Sequence, residues 1–335
     1  MGILLLNDTD EDGAHFGCQR VMRTIREELA LRNAGAIQSL KVGTNWQKST
    51  EALKLLDSTK TVVINGEGTL HHGKRKGKWL LDAGQRVKDN GGKVALVNAL
   101  WQENPKDWAE IAKSFDVLWC RDKRSADALS LQTGRAVDQI GDLSMFHPFT
   151  DHTTTLRQGV SFSCSVYSEV AEVLAKLSDA TGGEFVPVTK ALKSVSPQWS
   201  GLRRVVRTHY AKRYETRFRA AHQNIRLVGS DTEYLNYLSQ KELLVTGRFH
   251  GVCLAILSGT PFVAIGSNSW KISALLDDIG LSKERLQVPK ALSPDMITGR
   301  DWRYSDVERK AISQAMQNWR QKGAALFDRI GALAQ

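Results

Sequence analysis

The chain reads as an α/β protein made of two parallel-sheet units in tandem. Three observations carry that expectation. Short apolar strand segments alternate with helical periodicity, the alternation halts in an aperiodic stretch near residue 150 and then restarts, and 335 residues exceed what one hydrophobic core usually serves.

The first strand is the apolar run Ile3 to Leu6, and further strand segments follow at Ile37 to Val42, Thr61 to Asn65, Lys93 to Asn98 and Asp116 to Cys120. A shorter one, Ala136 to Ile140, ends at Gly141-Asp142. Between them, stretches such as Cys18 to Leu31 and Asp122 to Leu131 carry apolar residues at helical spacing, which predicts parallel strands with helices on both faces. Met145 to Gln158 has no apolar periodicity and is rich in threonine and turn formers, so it is expected to be a linker. The alternation resumes with Val160 to Val166, a helix from Ser168 to Ala180, and strands at Phe185 to Val188, Ile225 to Val228, Glu242 to Thr246, Phe262 to Ile265 and Arg285 to Val288. Ser194 to Arg219 holds Arg203, Arg204, Arg207, His209, Lys212, Arg213, Arg217 and Arg219 among few large apolar residues. It is expected to be an exposed basic helix or lid, able to touch an anionic membrane face. From Ser305 on, Val307, Ile312, Met316, Trp319, Ala325, Leu326 and Ile330 form the interrupted stripe of a long helix. The expected division is a first domain over 1–150, a second over 151–300, and a terminal helix over 301–335 packing on the body.

With 41% hydrophobic and 24% charged residues the composition is that of a globular protein. The apolar opening Met1 to Asn7 is too short, and too uncharged at its start, for a signal peptide, and no stretch approaches membrane-spanning length, so a cytoplasmic location is expected. Cys18, Cys120, Cys164 and Cys253 lack paired spacing and read as reduced, mostly buried thiols rather than a zinc or disulfide framework; no metal and no cofactor are expected. A net charge of +10 calls for an acidic partner, whether phosphorylated substrate, anionic lipid surface or nucleic acid. The densest basic cluster, Lys74 to Lys78, lacks the interleaved aromatics of single-strand binding platforms, so nucleic acid is set aside and a solvated face is the simpler reading.

The chemistry concentrates where Glu242-Leu-Leu-Val-Thr-Gly-Arg248-Phe-His250-Gly251 leads into Gly259-Thr-Pro261, Phe262 to Gly266 and Lys271. This reads as strand, loop, helix, strand, loop. Arg248, His250 and Lys271 then lie beyond the carboxyl ends of two strands expected to be neighbours, the place where open α/β sheets bind ligands. A guanidinium fork, an imidazole and an ammonium at a helix N-terminus suit a phosphate- or carboxylate-bearing anion, with the histidine placed to move a proton. The simpler account is structural, with Arg248 paired to a nearby acid and His250 capping a helix.

Two loops leave the N-terminal strands with polar groups. In the first, Asn7 to Cys18, Asn7 and His15 are the candidates to face a ligand, and the acidic run from Asp8 to Asp12 reads as a solvated turn in preference to a divalent-cation site. The second, Asn65-Gly66-Glu67-Gly68-Thr69-Leu70-His71-His72-Gly73-Lys74, combines close glycines with two histidines. Its glycines let backbone approach a ligand and leave N–H groups for an anion, yet its spacing matches neither a dinucleotide fingerprint nor a Walker loop.

Taken together, the loop Asn65 to Gly73, Cys120-Arg121-Asp122-Lys-Arg-Ser125, Gly141-Asp142, and above all Thr246-Gly-Arg248-Phe-His250-Gly with Gly259-Thr-Pro261 and Lys271 resemble the polysaccharide pyruvyl transferases, over about residues 5 to 282. The resemblance implies two Rossmann-like domains facing a cleft, as in the GT-B glycosyltransferases, and transfer of pyruvate from phosphoenolpyruvate to a glycan acceptor as a ketal. It implies His250 and Arg248 as catalytic residues, with Gly247, Arg248, Gly251, Ser267, Asn268 and Lys271 on the donor side. Asn7, His15, Gly66, Glu67, His71 and His72 fall on the acceptor side. The opening loop departs from the family's Asn-x-Gly-Asp-like stretch, being longer and acidic. Two other readings stand beside this one: a glycosyltransferase of the same fold using a nucleotide- or phosphate-activated sugar, and a non-catalytic glycan-binding or assembly protein. Oligomeric state is not legible in the sequence.

Overall fold

The computed structural model describes residues 2–10, 13–150, 156–196 and 199–335; Glu11 and Asp12 of the acidic run, and 151–155 of the expected linker, lie outside the described residues. In chain order the elements are β1 (Gly2–Asp8), α1 (Phe16–Ala30), β2 (Ala36–Lys41), α2 (Thr50–Ser58), β3 (Thr61–Asn65), α3 (Arg75–Asp89), β4 (Lys93–Ala99), α4 (Lys106–Lys113), β5 (Val117–Cys120), α5 (Lys123–Thr133) and β6 (Asp138–Gln139). They continue with β7 (Val160–Ser165), α6 (Ser168–Thr181), β8 (Glu184–Phe185), α7 (Gly201–Ala221), α8 (Asp231–Ser239), β9 (Leu243–Gly247), α9 (Phe249–Leu257), β10 (Phe262–Ile265), α10 (Lys271–Ile279), β11 (Leu286–Gln287), α11 (Pro294–Thr298) and α12 (Asp306–Leu333).

Two sheets result, ordered β2-β1-β3-β4-β5-β6 and β11-β10-β9-β7-β8. Every strand pairing is parallel. The central strands β3 and β9 are buried along their whole length, which is why they read as unbroken apolar runs instead of alternating ones. Ile225 to Val228 does not form the expected strand: Ile225 makes a single bridge to Phe185. A short segment with one partner gains too little ladder hydrogen bonding to extend.

The chain divides into two compact units, the first comprising Met1–Thr9, Val21–His147 and Gln314–Gln335, the second Asp10–Arg20 and Pro148–Ser313. This differs from the boundaries expected from sequence in two places, since the stretch after β1 clusters with the second unit and the end of α12 with the first. In the first unit Trp319 packs where a Cβ on Gly141 would stand 2.3 Å away, and Phe327 meets Trp119 edge-on at 5.5 Å. Met316, Trp319, Leu326 and Ile330 are buried as the stripe predicts, whereas Val307, at the start of α12, is exposed.

In the first unit the buried Asp142 pairs with Arg121 at 3.2 Å and accepts the Ser144 amide at 3.0 Å. Asp122 caps α5 by accepting from the Ser125 amide at 2.8 Å. These residues of the resemblance are therefore local fastenings. Among the described residues no helix is long and apolar enough to cross a membrane.

Candidate active site

In an open parallel sheet the ligand position is the point where strand order reverses, outside the carboxyl ends of the strands. In the second unit this lies between β7 and β9. A Cβ on Gly247 would stand 2.6 Å from the Cβ of Ser165, and one on Gly251 would stand 2.5 Å from Thr246 Oγ1, so both strand ends and the first turn of α9 are in close approach. Arg248 is the residue before α9, extended in backbone, and its amide donates to Thr246 Oγ1 at 3.1 Å. The Arg248 side chain is half-buried, its Nε has no hydrogen-bond partner, and no carboxylate pairs with it among the described residues. Among the described residues, then, the structural account of Arg248 as one half of an ion pair finds no carboxylate.

His250 is buried in the first turn of α9, a helix whose residues Phe249 to Ile256 are all buried. Its neighbour is His15, with ring centroids 5.1 Å apart at 72°. His15 is placed by a short antiparallel bridge to Thr189, flanked by Phe16 N donating to Val188 O at 3.2 Å and Lys190 N donating to Ala14 O at 3.0 Å. The start of α1 is held by Phe16 against Tyr234, centroids 5.4 Å apart, and by the buried Arg20–Asp231 pair at 3.2 Å. Gly17 makes the arrangement possible: a Cβ there would lie 2.1 Å from Cγ of His250.

Burial, then the charges of His250, Arg248 and Lys271, push the pKa of His15 well below the usual imidazole value, so His15 is neutral at neutral pH. Its Nδ1 is buried without a hydrogen-bond partner among the described residues. Lys271 opens α10, just past the end of β10, and its ammonium donates to Asn268 Oδ1 at 3.1 Å, the same oxygen that accepts from Ser267 Oγ at 3.2 Å. β9 and β10 are paired neighbours, with Val263 opposite Val245, as the sequence reading required. Lys193, which that reading missed, is half-buried, donates to Ser168 Oγ at 3.1 Å, and lies over the Tyr214 ring at 4.6 Å. Burial and then the charges of Arg207 and Arg248 lower its pKa, which puts a third cation in the field of Arg248. No local pattern around Lys193 marks it, because the loop that carries it has no periodicity.

The residues expected on the acceptor side divide. His15 belongs with His250, Arg248 and Lys271 in the second unit, whereas Asn7, Gly66, Glu67, His71 and His72 lie in the first. Asn7 sits at φ 62°, fully buried, with its amide donating to Asn65 O at 2.7 Å and Glu67 O at 3.0 Å. Some of the loop's N–H groups are engaged within the protein: Gly66 N donates to Val97 O, Glu67 N to Asn65 Oδ1, and His72 N to Gln102 O. The expectation that they remain available to an anion fails for these three, since a buried N–H must find a partner. Glu67 accepts from Thr9 Oγ1 at 3.0 Å, and buried His71 meets the Lys74 ammonium through Nε2 at 2.9 Å. His72 stands exposed at the rim, Nδ1 2.8 Å from Glu103 Oε2.

His15, Cys18 and His250 bring their ligand atoms within 4.8 Å of one another, a donor set that zinc would accept by type. Arg248 and Lys271 act against it, because their positive field, which adds to burial in lowering the pKa of His15, also opposes a further cation and favours an anion.

A family model described as polysaccharide pyruvyl transferase matches residues 30–269. No curated protein sequence matches the chain. Among solved structures, the chain is similar to Anabaena Alr3699/HepE, solved in complex with UDP and glucose, at 10% identity over 97% of this chain and 99% of that one, with a TM-score of 0.57. It is similar to the glycotransferase of kitacinnamycin at 10% identity, 98% and 99% coverage and a TM-score of 0.53. It is also similar to the UDP-GlcNAc 2-epimerase of Methanocaldococcus jannaschii at 11% identity, 96% and 99% coverage and a TM-score of 0.50. At such identities the likeness is one of fold, the α/β fold of the GT-B glycosyltransferases.

Proposed function

The chain belongs to the polysaccharide pyruvyl transferase family and is a transferase; from that premise we propose that it moves pyruvate from phosphoenolpyruvate onto two hydroxyls of a sugar as a ketal. The acceptor in this reading is a bacterial-type polysaccharide or its lipid-linked precursor, met in the cytoplasm at an anionic membrane surface. The supporting observation is Arg248, a half-buried guanidinium with no carboxylate partner among the described residues, in one field with Lys271 and Lys193. Such a cluster suits a ligand bearing both carboxylate and phosphate.

In the proposed chemistry His250 delivers a proton to the methylene carbon of the enolpyruvyl group, and the central carbon becomes electrophilic. A sugar hydroxyl adds there and gives its proton to His15, which its surroundings keep neutral and able to accept one. The second hydroxyl then forms the second C–O bond as the carbon–oxygen bond to phosphate breaks. Of the two protons released by the diol, one restores that given to the methylene and the other leaves with phosphate. Arg248 grips carboxylate or phosphate through its fork, and Lys271, steadied by Asn268, balances the departing charge. For the acceptor we assign the first unit's loop, with His72 at its rim and Asn7, Gly66, Glu67 and His71 shaping it from beneath.

Thermal unfolding tests this with phosphoenolpyruvate and with a panel of nucleotides and nucleotide sugars, on the native chain and on Arg248→Ala. A ligand at about 100 times its dissociation constant stabilises by ~2.7 kcal/mol. Phosphoenolpyruvate is expected to raise the Tm of the native chain and not of the variant. A shift given only by a nucleotide or nucleotide sugar would replace pyruvyl transfer with glycosyl transfer.

A further inference from the structure

We propose that the outward face of α7 docks on an anionic lipid surface. Successive helical residues are about 100° apart, so Arg207, Ala211, Tyr214 and Phe218 share one face. Phe218 on that face is buried against Phe185, centroids 5.3 Å apart, and is stacked on Tyr214 at 5.6 Å. The opposite half of the helix begins with Leu202, Val205 and Val206, whose exposures are 78%, 65% and 60%. A run of aliphatic side chains held in water at helical spacing is not what helix propensity or packing asks for.

Further along the same outward face come Lys212, Arg213 and Arg217, all exposed and without an acidic partner among the described residues. Over Gly201–Ala221 there are seven arginines and lysines against one acid, Glu215, which is paired with Arg219 at 2.9 Å. Apolar and basic residues thus separate along the helix axis, over roughly 22 Å at 1.5 Å per residue. Aliphatic side chains at one end can enter the acyl boundary while the basic end lies among phosphates, the arrangement of an interfacial helix. Trp199, just before the helix, has the guanidinium of Arg203 4.5 Å above its ring, an amphipathic pairing suited to the headgroup level.

A second copy of this chain does not fit the face, because two such helices would bring like charges together. An acidic protein partner would need a shaped pocket for its anchors, and this face offers a shallow stripe instead. The inward side of α7 carries Arg207, whose charge acts on Lys193 of the candidate site. The docked helix thereby belongs to the same unit as the anion site, and the link to a lipid-linked acceptor rests on the pyruvyl transfer reading; the docking itself does not.

Vesicle flotation tests it, with phosphatidylcholine vesicles containing a minority of phosphatidylglycerol against phosphatidylcholine alone. The variants are Lys212→Ala/Arg213→Ala/Arg217→Ala and Leu202→Gln/Val205→Gln/Val206→Gln. All six positions are exposed, so both variants keep the native Tm and the native response to phosphoenolpyruvate. The native chain is expected to float with anionic vesicles only. The basic variant loses about 100-fold in partitioning, and the apolar variant keeps only a fraction that raised salt removes. Equal binding to both vesicles, no binding, or unchanged binding of both variants overturns the proposal. So does a native dimer in sedimentation velocity that the apolar variant dissolves. Flotation without any phosphoenolpyruvate shift would leave the docking standing and remove the pyruvyl transfer reading; the converse result would do the opposite.

Discussion

Gly17→Ala should uncouple the candidate site while leaving the fold in place. The added Cβ would stand 2.1 Å from Cγ, 2.4 Å from Cβ and 2.5 Å from Nδ1 of His250. Carbon atoms pack comfortably at about 3.5 Å or more, so the imidazole must retreat by more than ~1 Å or the first turn of α1 must lift. That turn is fastened by buried Phe16 and by the Arg20–Asp231 pair, which makes the imidazole the part that yields. Overpacking of this kind costs about 1–3 kcal/mol, and a misplacement near 1 Å at a reacting group costs about 100-fold in rate. The assays are thermal unfolding for the first effect and phosphate release from phosphoenolpyruvate, with a sugar acceptor, for the second. A variant with native Tm and native turnover would show that His250 has no need of its position against α1, and the assignment of His250 and His15 as a pair would fall.

Four further outcomes follow from particular residues. The pKa of His15 is lowered in the folded chain, so below about pH 6.5 the unfolded chain binds the extra proton and stability falls on acidification; His15→Gln should flatten that slope in Tm measured from pH 7.5 to 5, and an unchanged slope would contradict a neutral buried His15. Glu308, held at about 2 by its hydrogen bonds to Arg285, contributes stability above the ordinary carboxylate range and loses it as the pH falls toward 2. Glu308→Gln strands the buried Arg285 guanidinium and should cost about 3–5 kcal/mol at pH 7 by denaturant titration, and a loss below 1 kcal/mol would mean the pair is not closed in solution. Asn7→Ala removes two buried hydrogen bonds and should cost about 2–3 kcal/mol while leaving the phosphoenolpyruvate shift intact; loss of the shift at native stability would return Asn7 to a ligand-binding role. Elemental analysis of the protein after incubation with zinc and removal of the excess, with no chelator present, should find no zinc bound at His15, Cys18 and His250, and stoichiometric zinc would displace the acid–base roles given to the histidines.

Much of this protein could be read one residue after another. The apolar runs within Thr61–Asn65, Leu243–Gly247 and Phe262–Ile265 are legible because a strand covered on both faces carries consecutive apolar residues rather than an alternation. Arg248, His250 and Lys271 are legible because their places at strand and helix ends follow from those elements alone. The weaker segments depended on partners. Ile225 to Val228 has strand composition but finds only one bridge, and Val307 fits the stripe of α12 yet lies before the helix reaches the first unit.

Roles depended on partners even more. Asn7, Glu67 and His71 look like ligand groups in a loop, and only in the folded chain does the Asn7 amide meet the backbone of Asn65 and Glu67, Glu67 meet Thr9, and His71 meet Lys74. Gly141-Asp142 and Arg121-Asp122 read as parts of a functional pattern and turn out to fasten Trp319, a short turn and the start of α5. Conversely, His15, Gly17 and Lys193 gain their significance from His250 and Arg248, residues far along the chain. Periodicity and turn chemistry are local and survive in the order of residues. Protonation, pairing and close approach belong to distances that exist only after folding.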